Sequence, residues 1–170
     1  MLTEEDLWIG KELSIDNLVS IFGIDIKTWI SSQESTLIDL NMKLTELAHS
    51  AGATLRWVGQ LPFIGGIDQG WRVGINPTEL SQVVDVIEAL FYCPSTSEII
   101  ELAQSYLSRI ESPKKITGIL RPTYPDSTSQ ENLVNKVSAL VNLGVSDIDF
   151  YLLDTMRTSD LESIKHCINK

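Results

Sequence analysis

The chain has 170 residues, a formal net charge of −10, 43% hydrophobic and 21% charged residues, and two cysteines. That length fits one domain with a real core, and ordinary apolar content with little Gly or Pro excludes disordered, collagen-like and low-complexity sequence. The acidic balance argues against a nucleic-acid partner, which needs clustered Lys and Arg, and against anionic membrane surfaces.

The first six residues, Met1 to Asp6, are acidic where a signal peptide is basic and then apolar. Apolar runs fall short of the ~18 residues that span a bilayer, and Cys93 and Cys167 do not make a disulfide framework. The expected setting is cytoplasmic. Residues 1–33 read as a helical lead-in, in which Ser14 caps a segment over 15–22 and Gly23 ends it. Leu37, Leu40, Leu44, Leu47 and Ala48 then recur at helical spacing, with Asp39, Lys43 and Glu46 opposite. A strand follows at 53–60.

Residues 34–170 repeat this pattern as four βα units. Asn76 and Pro77 open a short helix over 77–84, and 85–92 reads as a strand. An amphipathic helix over 97–110 precedes the strand 115–121, which stops at Pro122. Thr128 caps a helix to Leu143 with Leu133, Val137, Leu140 and Val141 inside, and Gly144 closes it. The strand 147–153 and a helix from Ser159 to near Asn169 complete the chain. Four strands alternating with helices predict a single α/β domain built on a parallel sheet.

Alternation splits each strand into two sets. One set is apolar throughout: Leu55 and Trp57; Ile87, Ala89 and Phe91; Ile116 and Leu120; Ile148, Phe150 and Leu152. The other carries Arg56, Glu88, Arg121 and Asp149. A sheet covered by helices on both faces is apolar on both, so the charged set points instead to a barrel lumen. The four charges read first as mutually paired interior residues; Arg121, last on its strand, is equally a ligand contact.

Metal and nucleophile chemistry is sparse. His49 and His166 have no second ligand at metal spacing, so no metal or other cofactor is expected. Cys93 reads as a small near-core residue. The loop Gly65-Gly66 carries no phosphate-binding motif. Phe63, Trp71, Tyr92, Tyr124 and Tyr151 gather at the C-terminal ends of the strands, where sugar rings stack on such residues, although plain packing uses them equally. Asp68, Asp126 and Asp154 are the carboxylates at these ends.

Three motifs carry a resemblance. They are Gly118-Ile119-Leu120-Arg121-Pro122-Thr123-Tyr124-Pro125-Asp126, Gly144-Val145-Ser146-Asp147-Ile148-Asp149-Phe150-Tyr151, and the unit from Gly74-Ile75-Asn76 through Asp85 to Tyr92. Together with Phe22-Gly23-Ile24-Asp25 and Trp29, they resemble the C-terminal half of uncharacterised glycoside-hydrolase-like (β/α)8-barrel proteins, over roughly residues 14–168. The resemblance numbers the four strands as five to eight of a TIM barrel and implies carbohydrate binding or processing at their C-terminal ends. Many barrel glycosidases place the acid/base after strand four and the nucleophile after strand seven. Strand four has no counterpart here, and the seventh ends in Arg121 with no Glu beside it.

The sequence therefore predicts a half-barrel. Its substrate contacts would be Arg121, Tyr92, Tyr124, Tyr151 and Glu88, with Asp126 and Asp154 as candidate catalytic carboxylates. An open half leaves 53–60 and 147–153 as free edges, which predicts a homo-oligomer or a partner chain supplying the other strands. The alternative to a carbohydrate protein is a non-catalytic half-barrel that works by assembly.

Overall fold

The computed structural model describes residues 15–59, 63–64, 67–68 and 70–168; Ser14, Gly65, Gly66 and Asn169 lie outside them. The first helices are α1 (Ile15–Phe22) and α2 (Asp25–Ser50). Nothing between Asp25 and Ser50 breaks a helix, so the lead-in and the leucine segment form one rod of 26 residues. Strand β1 (Arg56–Gly59) follows, and then a small antiparallel pair, β2 (Phe63–Ile64) and β3 (Ile67–Asp68), where the sequence reading had only a loop.

The remaining units are α3 (Pro77–Val83) with β4 (Val86–Leu90), α4 (Thr96–Leu107) with β5 (Ile116–Leu120), and α5 (Gln130–Asn142) with β6 (Asp147–Phe150). Helix α6 (Thr158–Ile168) closes the series. Caps set the boundaries. Asn76 accepts from the Glu79 amide, and Ser95 and Glu98 form a reciprocal capping box. Ser129 caps α5, one residue after the expected Thr128. Gly144 ends α5 at φ +91°, a left-handed position that other residues adopt at a cost.

The four main strands form one parallel sheet in the order β1-β4-β5-β6. This is the half-barrel arrangement of βα units, with β1 and β6 at its edges, as expected. Among the described residues, helices cover one face only. Trp57, Ile87, Ala89, Phe91, Ile116, Leu120, Ile148 and Phe150 all belong to a single core with side chains from α2 to α6. Gly118 lies on this face, where a Cβ would approach Phe91 and Leu140 at 3.2 Å. A satellite cluster of Leu18 and Ile30 packs Ile26 and Trp71. No helix among the described residues is long and apolar enough to cross a membrane.

Two inner faces differ from expectation. Most of the leucine stripe of α2 does not face inward: Leu40, Leu44 and Leu47 are exposed, and the buried side is Ile30, Asn41 and Thr45, with the stripe's Leu37 and its neighbour Ile38 packed on the core. Val141 of α5, expected inside, is exposed as well. Two hydrogen bonds satisfy the buried polar groups. Asn41 Nδ2 donates within α2 to the Leu37 carbonyl at 2.9 Å, and Thr45 Oγ1 donates to the Val83 carbonyl at 2.8 Å, which ties α2 to α3.

Candidate functional site

The uncovered face of the sheet carries a polar layer to which every strand contributes. Arg56 on β1 donates from Nη1 to Glu88 on β4 at 2.8 Å. From Nη2 it donates to Thr117 Oγ1 on β5 at 3.2 Å and to Asp147 on β6 at 3.0 Å. Asp149, also on β6, stands 3.7 Å from the guanidinium, and the Thr117 hydroxyl donates to Asp147. The expected pairing of Arg56 with Glu88 and Asp149 is present. Thr117 falls on the face that alternation gives it, and Asp147 is an addition, because the alternation of its strand is counted from Ile148 and Asp149 onward. The layer is open to solvent, since the Asp147 side chain is 57% exposed and the neighbouring Val58 is 55% exposed.

Arg121 is not in this layer. It stands past the end of β5, where its guanidinium carbon lies 4.3 Å over the Tyr92 ring and Nη1 lies 3.0 Å from Asp126 Oδ2. That approach is an ion pair without hydrogen-bond alignment, because the buried Oδ2 has no donor aimed at it. Tyr92 and Tyr151 stack with centroids 6.3 Å apart and planes 21° apart, so Tyr92 is flanked by a cation and a ring. Burial pushes the Tyr92 phenol up, with Arg121 pulling against it. Tyr124 is 77% exposed beyond this group. The peptide bonds before Pro125 and Leu152 are cis.

Beneath these residues sits a lysine that the sequence reading passed over. Lys136 on α5 is only 1% exposed, and Nζ donates to the carbonyls of Cys93 (2.8 Å) and Asp126. It joins the loop after β4 to the loop after β5. Burial pushes its ammonium down, and the Asp126 charge opposes the shift. Its spacing from Leu133 and Leu140 places it on the buried side of α5 with them, a signal visible in the sequence. The Ser127 hydroxyl holds the same loop by donating to the Arg121 carbonyl at 2.8 Å.

The structure thus brings together Tyr92, Arg121, Asp126 and Tyr151, while Tyr124 stands exposed in the loop after β5. Glu88 is engaged by Arg56 in the polar layer instead. Asp154 lies exposed in the turn Leu153–Thr155, in no ion pair among the described residues. Trp71 packs into the satellite cluster with Leu18 and Ile30. The side chains of Phe63 and Asp68 lie outside the described residues. Cys93 packs on the core, and burial pushes its thiol up. His49 bonds Asp85 at 3.0 Å, and no group of His, Cys, Asp and Glu among the described residues is arranged to hold a metal. Chemically, the strand ends offer a planar cation, phenol rings and a guanidinium-paired carboxylate, which suits binding of polar rings better than proton transfer.

Comparison with family models, curated proteins and solved structures gives no match for this chain.

Proposed function

We propose that this chain is a half-barrel unit that works joined to a further set of βα units, which cover its open face and pair with its two edges. The observation that carries this reading is one-sidedness. All helices of the core lie on one face, and among the described residues nothing pairs with the outer edges of β1 and β6. The exposed apolar side chains follow the same logic. They gather on the flanking elements, as Leu40, Leu44 and Leu47 of α2, Leu152 and Leu153 after β6, and Leu161 and Ile168 of α6. The inner helices α3 and α4 have none, and α5 has only Val141. Apolar surface of this kind marks an association site. Val58→Asp tests the openness of the face: the isolated chain should melt within about 2 °C of the wild type, as a surface change does. A loss as large as that of Ile87→Asp would place Val58 inside a core and overturn the reading.

The resemblance to glycoside-hydrolase-like barrels supports a second, compatible reading in which the strand ends bind carbohydrate. The stacked Tyr92 and Tyr151, with Arg121 against them, would then be one wall of a pocket, and Asp126 would hold the arginine in place. A glycan array on the wild type, Arg121→Ala and Tyr124→Ala tests it. Binding lost in Arg121→Ala supports the reading, and binding unchanged in both variants, or absent from all three, counts against it.

A further inference from the structure

We infer that the βα units completing this sheet present a cationic inward face, and are not a second copy of this chain. The inference rests on the open-face reading above and adds the chemistry of the occupant. In the polar layer one arginine, Arg56, faces three carboxylates, Glu88, Asp147 and Asp149. Arg121 does not redress the balance, because Asp126 already neutralises it.

Geometry alone would permit a second copy. Strands β1 and β6 are parallel edges of the same sheet, so a two-fold axis along the barrel would set β6 of one copy beside β1 of the other. The apolar flanks of α2 and α6 would meet in the same operation. The lumen forbids it. Two copies would enclose six carboxylates with two arginines, and removal from water strengthens each repulsion. Like charges set together across an interface are costly and exclude the wrong partner. The whole chain's charge of −10 repels in the same sense at longer range. Units carrying Lys or Arg at the equivalent lumen positions remove the obstacle and keep the apolar flanks.

Charge reversal within this chain supplies the probe. Asp147→Lys with Asp149→Lys makes a chain of the same fold with a cationic open face. Sedimentation velocity is run on the wild type, on the variant and on their equimolar mixture at low salt. Each chain alone should sediment as a monomer. The mixture should form a one-to-one complex at least about tenfold tighter than either self-association, and added salt should weaken it. If the wild type dimerises as tightly as the mixture, the cationic inward face is wrong while the open-face reading stands. If nothing associates in any arm, the open-face reading falls and this inference falls with it. Circular dichroism verifies that the variant is folded. Should the double change unfold the chain, Asp149→Lys alone carries the test, since Asp149 is half-exposed and stands furthest from the guanidinium.

Discussion

Arg56 and Asp147 stand on the two opposite edge strands of the sheet, yet their side chains meet at 3.0 Å. Neighbouring strands are separated by about 4.8 Å, so a flat four-stranded sheet would hold these edges too far apart for a direct bond. The contact closes because the sheet curls toward its uncovered face and because the arginine is long. It also passes over Glu88 and Thr117, which join it on the way. One side chain therefore ties all four strands together from the side that lacks helices.

This relationship separates two substitutions on the same face. Arg56→Ala removes a donor from Glu88, whose side chain is only 14% exposed, and from Thr117, which is fully buried. It should cost about 1–3 kcal/mol, the range for stranding partly buried partners. Asp149→Asn should cost at most ~0.5 kcal/mol, because a half-exposed ion pair is worth little. Urea denaturation of both variants gives the comparison, and equal losses would contradict the proposed role of Arg56.

Lys136 should matter more than any surface cation. Lys136→Ala opens a cavity and leaves the Cys93 and Asp126 carbonyls without this donor, for a loss of about 2–4 kcal/mol. Lys136→Met fills the space and should lose less. The two also differ from the wild type in pH dependence. Burial lowers the folded-state pKa of Lys136, so the unfolded chain binds the extra proton. Wild-type stability should gain from this group as pH climbs from that lowered value toward lysine's usual one. The gain should be absent in Lys136→Met when melts are compared across the alkaline range.

Asp85 acts in the opposite pH direction. Its carboxylate accepts the Leu55 amide at 2.7 Å and contacts His49, and chiefly the amide bond holds its pKa below the usual aspartate value despite partial burial. The stabilisation is complete above the ordinary aspartate range and is lost as pH falls through the lowered folded-state value. Wild type and Asp85→Asn should therefore converge in stability in strong acid and diverge toward neutrality. A constant difference across acidic melts would contradict the assignment.

Gly118 is a packing constraint on the covered face. A single Cβ there would press on Phe91 and Leu140 at 3.2 Å, and valine adds two methyls beyond it. Gly118→Val should destabilise by about 1–3 kcal/mol through overpacking, read as a shift in the denaturation midpoint.

Much of this arrangement was legible in the sequence. Period-two alternation assigned Trp57, Ile87, Phe91 and Leu120 to the covered face and Arg56, Glu88 and Asp149 to the other, and the structure has them so. Alternation is reliable here because the two faces meet different solvents. Helix orientation was less legible. The leucines of α2 look like a core stripe by hydropathy alone, but the inward side carries Thr45, which bonds the Val83 carbonyl, and Asn41, which satisfies itself on its own helix. That information sits in α3 and in the backbone. Lys136 escaped for a related reason. A lysine on an apolar helix face reads as an exception until two loop carbonyls arrive from elsewhere in the chain to hold its ammonium. The separation of Arg121 from the Arg56 layer likewise depends on Asp126, brought back by the loop after β5.

The central claim is that the sheet is open at both edges, and amide hydrogen exchange on the isolated chain reads this strand by strand. The amides of β1 and β6 that point away from the sheet should exchange at rates near those of exposed loops, while those of β5, paired on both sides, should be the most protected. Protection of the β1 and β6 amides equal to that of β5 in a monomeric sample would show both edges already covered, and would contradict the account.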